Sequence, residues 1–475
     1  MRGLIAYGTY IPYHRLKRSE IGAALGAGGG KGTRAVASYD EDTTSMAVEA
    51  ARAALRMLPR SVAPQRIYFA TAAPAYLDKT NAAAIQAALD LGETVLAVDM
   101  AGAVRSGVGA LLAAHDAAVP TLAVLSDVRT GLPGGADERD GGDAAAAFVY
   151  GGDNHAPVLA EVIAHASTTA EFLDRWRLPG DRTSRSWEER FGEHVYGPLV
   201  QAAFAEALKQ GGLTAEQVDH LVVTGVHARA ARQFTASCGV RREALTDDLS
   251  AAIGNSGTAH AGVVLADVLD RAAPQRTVAV VLFADGASVL ILRTQAALAQ
   301  HRNPAPVAAQ IAAGNDHLRY TTFLSWRGLL DREPPRRPDP EPPYAPPSYR
   351  SEDWKFAFVA SRCEACGTRH LPPARVCVRC HAVDRMSREQ LADVPATVAT
   401  FTVDRLAYTP SPPLVAAVID FDGGGRFRCQ LTDVDPAHVA IGDRVEMSFR
   451  KVVTAGGIHN YFWKARPIRR ADTEA

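Results

Sequence analysis

The stretch SRCEACGTRHLPPARVCVRC, residues 361–380, decides the fold of the C-terminal part of this chain. It contains two Cys-x-x-Cys pairs separated by ten residues, made of Cys363, Cys366, Cys377 and Cys380. Each pair directs two sulfurs toward one point, so two such turns supply the four thiolates of a tetrahedral zinc site. Two disulfides, or a redox Cys-x-x-Cys that occurs twice, are the alternatives. The spacing favours a zinc ribbon over residues 354–390, where four cysteine ligands leave the metal a structural role.

The regions on either side of the ribbon have different patterns. Upstream, DREPPRRPDPEPPYAPPSYR at residues 331–350 has eight prolines in twenty residues, which excludes helix interiors and sheet centres. We therefore expect a linker over residues 331–353. Downstream, residues 391–470 alternate strand-like runs with glycine and proline, as a small β-barrel does. Residues 1–330 form the remaining domain of the predicted organisation.

Composition argues against several classes of protein. The 475 residues carry a net charge of −1 without a basic stripe, so nucleic acid and anionic membrane surfaces are unexpected partners. No run of about 18 apolar residues predicts a membrane helix, and the N-terminus enters a strand pattern directly. We expect a cytoplasmic protein, because a reducing compartment suits thiolates held by a metal.

Residues 1–330 alternate apolar runs with alanine-rich helical stretches. The predicted strands are residues 4–8, 66–71, 94–99, 121–126, 220–224 and 278–283. The predicted helices are residues 44–55, 108–118 and 262–271. Continuous apolar strands between helices indicate a largely parallel α/β sheet covered on both faces. The recurrence of the pattern indicates a duplicated fold.

Several motifs in this region resemble the archaeal and bacterial 3-hydroxy-3-methylglutaryl-CoA synthases of the thiolase superfamily. They are GLIAYGTYIPYHRLKRSEI (3–21), DEDTTSMAVEAARAAL (40–55), YLDKTNAAAIQAAL (76–89), GGDAAAAFVYGG (141–152), IGNSGTAHAGVVLADVL (253–269) and YTTFLSWRGLL (320–330). The resemblance implies a duplicated five-layered αβαβα thiolase fold. It also implies a homodimer and an acyl-CoA thioester bound at the junction of the two halves.

Enzymes of that family use a cysteine nucleophile, a histidine and a glutamate. The resemblance places these three groups at Val104, Thr224 and Ala72, so each of them is replaced. Valine has no nucleophilic atom, and an acyl-enzyme therefore cannot form at residue 104. Cys238 lies in a helix-like stretch, where we expect a packed core cysteine.

Other polar residues near the expected site are candidates for catalysis. His227 stands where the family has an asparagine. Tyr196 is the last residue of the element GEHVY. Asn255 matches the family asparagine that polarises the site carbonyl. Asp285 and His194 are further candidates. Each of these side chains is equally compatible with structural hydrogen bonding, and the arginines of residues 176–190 are compatible with CoA phosphates or with solvent.

The ribbon and barrel together resemble the rubredoxin-like zinc ribbon and oligonucleotide/oligosaccharide-binding (OB) fold of the family once called domain of unknown function 35. The match covers residues 354–467, and such modules usually accompany thiolase-like proteins. Four aromatic residues, Phe427, Phe449, Tyr461 and Trp463, could be mistaken for a base-stacking surface. We expect them in the barrel core or on a docking surface.

Three functions remain open at this point. The first is an enzyme that makes or breaks a carbon–carbon bond of a β-hydroxyacyl-CoA by aldol or retro-aldol chemistry, without an acyl-enzyme. The second is a catalytically silent acyl-CoA-binding and assembly subunit that partners a separate, true thiolase. The third is a genuine hydroxymethylglutaryl-CoA synthase. All three share a structural Zn²⁺ ion and a coenzyme A thioester as substrate or ligand.

Overall fold

The computed structural model describes residues 1–336 and 340–469. Residues 337–339 of the predicted linker and residue 470 of the predicted barrel lie outside the described residues. The chain divides into two compact units. The first unit comprises Met1–Ala37, Asp42–Ala83 and Glu93–Phe323. The second comprises Ser38–Glu41, Ala84–Gly92 and the chain from Leu324 onward.

The strands of the first unit include those predicted from the sequence, and the strand at Arg66–Thr71 has the predicted bounds. They are β1 (Arg2–Tyr10), β2 (His14–Lys17), β3 (Thr33–Val36), β4 (Arg66–Thr71), β5 (Leu96–Ala101), β6 (Thr121–Val128), β7 (Asp143–Gly152), β8 (Ala160–Thr169), β9 (Arg175–Trp176), β10 (Arg185–Ser186), β11 (His220–Gly225), β12 (Thr277–Phe283) and β13 (Gly286–Thr294).

The helices of the described residues alternate with these strands and continue past them. They are α1 (Arg18–Leu25), α2 (Thr43–Leu55), α3 (Ala82–Ala88), α4 (Ser106–Asp116), α5 (Ala136–Asp140), α6 (Glu189–Gly211), α7 (Ala228–Ser237), α8 (Ser250–Ile253), α9 (His260–Arg271), α10 (Val307–Ala312), α11 (Tyr320–Trp326), α12 (Ala345–Arg350) and α13 (Glu352–Lys355). No helix in residues 1–336 and 340–469 combines the length and apolar character required to cross a bilayer.

The main sheet of the first unit is duplicated. Its order is β11-β12-β13-β8-β1-β7-β6-β4-β5. In one half β4 pairs parallel with β6, and β6-β7 and β7-β1 are antiparallel. In the other half β11 pairs parallel with β12, and β12-β13 and β13-β8 are antiparallel. The halves meet where Leu4 pairs with Ala160.

The duplication is therefore confirmed, and the prediction of a largely parallel sheet is wrong. The sheet is mixed, because β1, β7, β8 and β13 run antiparallel to their neighbours. An uninterrupted apolar run reports that both faces of a strand are covered, and it carries no information on strand direction. Strand β7, for example, is antiparallel and yet buried along its whole length.

The helices complete five layers. Helix α2 packs on β1, β6 and β7 of one half, and α6 packs on β8, β12 and β13 of the other. Helix α9 contacts β1 and β7 as well as β11 and β12, so it lies between the halves, with α4 beside it against β4 and β6. A helix covered on two sides needs small and apolar residues around its circumference, and α9 is accordingly buried at most positions. The αβαβα arrangement implied by the resemblance is confirmed.

The second unit contains a small sheet and a barrel. Its strands are β14 (Val359–Cys363), β15 (Arg369–His370), β16 (Met386–Gln390), β17 (Ala396–Asp404), β18 (Leu414–Phe421), β19 (Arg426–Gln430), β20 (Arg444–Ala455) and β21 (Ile458–Pro467). The first three form an antiparallel sheet in the order β15-β14-β16, and the others a sheet in the order β19-β18-β17-β20-β21. Leu431 bridges to Ala465, which joins the end of β19 to β21 and closes the barrel.

The structure differs from the prediction in the linker and agrees with it for three aromatic residues of the barrel core. Helix α12 and the start of helix α13 lie within residues 331–353, so the expectation that the prolines exclude helix from residues 331–350 is wrong at the C-terminal end of that stretch. Proline is tolerated there because Pro346 lies in the first turn of α12, where an N–H has no helical partner. In the barrel, Phe449, Tyr461 and Trp463 are buried core residues, as expected.

A buried charged cluster stabilises the second unit. Arg450 donates to Asp433 at 2.6 Å, and its guanidinium lies 2.7 Å from Glu41 and 3.4 Å from Asp40. Lys464 lies 2.8 Å from the other oxygen of Asp40. These five side chains are at most 3% exposed. Buried charges are tolerated only when they are paired, and here each charged group has an opposite charge in contact.

Candidate functional site

Val104, to which the resemblance assigns the family nucleophile, lies in apolar surroundings in the structure. Val104 precedes helix α4, is 8% exposed and packs with Val108, Leu282 and Ala284. It lines a small cavity of about 100 Å³, which we call the small cavity. Ala72, to which the resemblance assigns the family glutamate, lines the same cavity. No cysteine is among the described residues that line it, and Cys238 ends helix α7 elsewhere in the unit.

A second cavity of about 920 Å³, the large cavity, adjoins the small one. Arg129, Arg175 and Val226 line both. Of the predicted residues, Tyr196 and Asp285 line the small cavity, and Thr224, His227 and Asn255 line the large cavity. His194 is exposed and lines neither. The structure therefore brings all but one of the polar candidates to one connected site.

His227 makes two structural contacts. Its Nδ1 accepts the N–H of Ala230 at 3.1 Å, which caps the N-terminus of α7, and its Nε2 donates to the carbonyl of Glu189 at 2.9 Å. Both ring nitrogens are therefore engaged in the neutral tautomer. Thr224 is engaged in the same way, since its hydroxyl donates to the carbonyl of Val281 at 3.4 Å.

Tyr196 is a buried phenol that keeps its proton. Its ring lies in an aromatic cluster with Phe172 and Phe283, 5.7 Å from the ring of His227. Burial and the nearby carboxylate of Asp174 raise the pKa of Tyr196 above its usual range. The hydroxyl can therefore donate a proton or a hydrogen bond, and it is a poor base near neutral pH.

Asn255 keeps one donor free. Its Nδ2 donates to the carbonyl of Gly225 at 2.6 Å, and its Oδ1 accepts the N–H of Gly257 at 2.9 Å. A side-chain amide carries two N–H groups, so the second remains for a ligand in the large cavity. The two protein contacts fix the amide orientation, which cannot flip without losing both.

Asp285 lies at the rim of the small cavity in a left-handed backbone conformation, with φ of 48°. Burial raises the pKa of its carboxyl, and the charge of Arg105 opposes the shift. The Arg105 guanidinium donates to the Asp285 carbonyl at 2.7 Å and so holds this turn in place. A carboxylate with a raised pKa is a stronger base than an ordinary one.

Several residues of the site were not found from the sequence. Asp127 is buried in the small cavity; its Oδ2 accepts the N–H and hydroxyl of Thr258 at 3.0 Å, whereas its Oδ1 has no partner in the described residues. Burial raises the pKa of this carboxyl. His260 lines the large cavity with an unpartnered Nε2, and burial lowers its pKa to about 4, so it is neutral at pH 7.

Arginines form another part of the site, and of these only Arg177 lies in the stretch 176–190 that the sequence analysis named. Arg129, Arg175 and Arg177 line the small cavity. Arg175 donates to both oxygens of Asp137, and Arg129 lies 3.1 Å from the same carboxylate. Arg129 directly follows β6 and Arg177 directly follows β9, which offered one signal, because loops at strand ends carry functional groups. Their convergence, however, depends on residues far apart in the chain.

The four cysteines of the second unit come together as predicted. Their Sγ atoms all lie within 4.8 Å of one another. The separations of Cys363 from Cys380 and of Cys366 from Cys377 are 3.6 and 3.5 Å. These are far longer than the S–S bond of about 2.05 Å in a disulfide. They are close to the edge of about 3.8 Å of a tetrahedron with zinc–sulfur bonds of about 2.3 Å, so the cysteines fit a Zn²⁺ ion.

Two family comparisons match the second unit. The rubredoxin-like zinc ribbon domain of ChsH2 matches residues 356–384, and the C-terminal OB-fold domain of ChsH2 matches residues 389–450.

The first unit resembles hydroxymethylglutaryl-CoA synthases. That of Methanothermobacter thermautotrophicus is 27% identical over 348 residues, covering 70% of this chain and 99% of the relative. That of Pyrococcus horikoshii is 28% identical over 316 residues, covering 64% and 89%.

Solved structures agree on the fold. A hydroxymethylglutaryl-CoA synthase complexed with CoA superposes with a TM-score of 0.58 at 16% identity, covering 68% of this chain and 89% of that one. The 3-oxoacyl-(acyl carrier protein) synthase III of Pseudomonas aeruginosa gives a TM-score of 0.54 at 19% identity, covering 62% and 98%. The sequence similarity and the shared fold together indicate a thiolase-like domain. More particularly, the chain joins a hydroxymethylglutaryl-CoA synthase-like domain to a ChsH2-type zinc ribbon and OB fold.

Proposed function

We propose that this protein acts on acyl-CoA thioesters and makes or breaks a carbon–carbon bond by aldol or retro-aldol chemistry, without an acyl-enzyme. The observation that carries the proposal is Val104 in the small cavity, beside a proton-holding Tyr196 and the carboxyl of Asp285. An aldol reaction needs an acid, a base and a donor to the enolate oxygen, and it needs no nucleophilic side chain.

The large cavity supports CoA as the carrier of the acyl group. Its volume of about 920 Å³ is in the range that accommodates sizeable ligands. Arg18, Arg232 and Arg242 line it, and guanidinium groups suit the phosphates of CoA. The relatives named above include one solved with CoA, which is consistent with this use of the cavity.

The retro-aldol direction assigns a role to each group. Asp285 takes the proton of the β-hydroxyl, the Cα–Cβ bond breaks, and a carbonyl compound and a thioester enolate form. The free N–H of Asn255 stabilises the enolate oxygen, and Tyr196 returns a proton to Cα. His227, whose nitrogens are both engaged, positions Tyr196 and helix α7 in this scheme.

A panel of β-hydroxyacyl-CoAs tests this proposal. We expect cleavage to an acyl-CoA and an aldehyde or ketone, detected by mass spectrometry. Asp285→Asn and Tyr196→Phe should each lower kcat by about 10²–10⁴-fold. His194→Gln, at an exposed position outside both cavities, serves as the control. No cleavage or condensation of any thioester, alone or with partner proteins, would refute the enzymatic role.

A second candidate function is the silent acyl-CoA-binding subunit that assembles with a separate thiolase. It is favoured by the structural hydrogen bonds that occupy His227 and Thr224. It predicts CoA binding without turnover and copurification with a cysteine-bearing thiolase. A homodimer is compatible with either function.

The third candidate, a hydroxymethylglutaryl-CoA synthase, requires a covalent acetyl group on the protein. Incubation with acetyl-CoA followed by intact-mass measurement distinguishes it. We expect no mass increase, because residue 104 lacks a nucleophilic atom.

A further inference from the structure

Cys380 is the most accessible sulfur of the four-cysteine centre. Cys363 and Cys377 are buried and Cys366 is partly buried, whereas Cys380 is exposed. A cysteine bound to zinc is a thiolate, and a thiolate that reaches solvent beside a cation is readily oxidised. Arg379, which precedes Cys380 in the chain, is such an exposed cation. An oxidant therefore meets Cys380 before the other three sulfurs.

A second thiolate lies within reach of Cys380. The Sγ atoms of Cys363 and Cys380 are 3.6 Å apart, and the two residues belong to different Cys-x-x-Cys turns. A disulfide has an S–S bond of about 2.05 Å, so a small movement of the two turns joins these sulfurs. Redox-sensitive cysteines combine exposure with a resolving cysteine nearby, and this pair has both.

We propose that Cys380 and Cys363 form a peroxide-sensitive pair that controls the zinc site. The Cys380 thiolate attacks hydrogen peroxide: a sulfur–oxygen bond forms, the O–O bond breaks and hydroxide leaves. The Cys363 thiolate then attacks the sulfur of Cys380: the disulfide forms, the sulfur–oxygen bond breaks and a second hydroxide leaves. Two thiolates lose two electrons and peroxide gains them. Zinc is left with two of its four ligands and dissociates. This inference is independent of the proposed acyl-CoA function.

The cysteine centre is linked to the barrel through two consecutive residues. The carbonyl of Thr368 accepts the N–H of Cys363 at 2.9 Å, and its hydroxyl lies 3.2 Å from the sulfur of Cys366. The next residue is Arg369, whose side chain is 10% exposed and donates to both oxygens of Glu389 at 2.9 and 2.7 Å. The position of Arg369 therefore depends on the fold of the metal-binding turn.

Arg369 also holds a turn of the barrel. Its Nη1 donates to the carbonyls of Asp422 and Gly424 at 2.7 and 2.8 Å, in the turn between β18 and β19. Gly423 and Gly425 have left-handed φ of 80° and 96°, and a Cβ on either would lie 3.3 Å from an atom of Arg369. The turn is thus shaped around this side chain. Loss of zinc should release Arg369 and, with it, the turn.

Peroxide titration of the zinc-loaded full chain tests the cysteine pair. We expect zinc release, measured with a chromogenic chelator, and a Cys363–Cys380 disulfide as the first product in peptide mass spectrometry. Cys429, which is buried in the barrel, should remain reduced. Retention of zinc in excess peroxide, or zinc release without this disulfide, would overturn the proposal.

Hydrogen exchange tests the link to the barrel. Oxidation should speed exchange in residues 421–425 by at least about tenfold, because exchange reports local opening. Arg369→Gln should bind zinc and already exchange fast in this turn, so that oxidation adds less than about twofold. Arg426→Gln, which breaks an exposed pair on the same hairpin, should respond as the wild type does. Unchanged exchange after oxidation of the wild-type protein would overturn the link, whether or not the Arg369 variant folds.

Discussion

The two units use their buried charged groups differently, although each has buried polar atoms without a hydrogen-bond partner among the described residues, such as Asp433 Oδ1 in the second unit. In the second unit Arg450 and Lys464 contact three carboxylates, and four thiols converge on one point. In the first unit Asp127 Oδ1 and His260 Nε2 are buried at the cavities without partners among the described residues, and Arg177 donates to the backbone carbonyl of Ala72. Paired groups stabilise a fold, whereas unpaired groups at a cavity cost stability and are available for a ligand.

The largest expected effect is on the four-cysteine centre. Cys380→Ser should release the metal and unfold residues 354–390, because metal binding contributes on the order of 10 kcal/mol to such small segments. Zinc content and far-ultraviolet circular dichroism measure the loss. Cys429→Ser, in a cysteine outside the cluster, is the control and should retain the zinc. Unchanged zinc content in the Cys380 variant would contradict the site.

The second-largest expected effect is the loss of stability when the buried charged cluster of the second unit is broken. Arg450→Met leaves Asp40, Glu41 and Asp433 without their shared cation, and we expect a loss of about 3–5 kcal/mol. Hydrogen exchange of peptides from β20 and β21 reports it locally. Arg426→Met breaks an exposed pair with Asp420 and should cost less than about 1 kcal/mol. Equal effects in the two variants would show that burial does not strengthen the cluster.

The same cluster predicts a pH dependence. Burial opposes ionisation, yet Lys464 and Arg450 lower the pKa of Asp40, and Asp40 raises that of Lys464. The Asp40 contribution is present above about pH 4 and is lost as pH falls through its lowered folded pKa. The Lys464 contribution is present below about pH 10 and is lost as pH rises through its raised folded pKa. Calorimetry should show the second unit most stable between about pH 5 and 9, and a maximum outside this window would contradict the assignment.

The smallest expected effect is on the stability of the first unit, where an unpaired carboxylate oxygen can be compared with a paired carboxylate. Asp127→Asn should change the free energy of unfolding by less than about 1 kcal/mol, because the lost oxygen had no partner and Asn can still accept from Thr258. Asp137→Asn removes the partner of two guanidinium groups and should cost at least about 1 kcal/mol more. Urea denaturation compares them, and a reversed order would contradict the division into paired and unpaired groups.

Local pattern explains which parts of the fold could be predicted. The apolar run at Arg66–Thr71 and the spacing of the four cysteines depend on nearby residues alone, and both predictions agree with the structure. Strand direction was not predictable, because the pairing of β1 with β7 joins segments more than a hundred residues apart.

In the candidate site, too, contacts between residues far apart in the sequence could not be predicted. A linear motif led to the prediction that Val104 lies at the site, and Val104 lines the small cavity. The contact of His227 with the carbonyl of Glu189, 38 residues away, could not be read from any motif. The approach of Arg177 to Ala72, across 105 residues, was equally hidden. Contacts between distant residues decide whether a polar side chain is held by the protein or can bind a ligand. These contacts are known only from the three-dimensional fold.

Asp40 and Glu41 lie near the start of the chain, and they nevertheless belong to the second unit together with Arg450 and Lys464. The amino-acid composition changes at the proline-rich segment, but the second unit does not begin there. Its folding depends on residues upstream of that segment. A fragment cut at Leu324 would carry two buried cations and lack two of their anions. Transplanting the ribbon and barrel onto another protein would therefore require an acidic tetrapeptide equivalent to Ser38–Glu41 to travel with them.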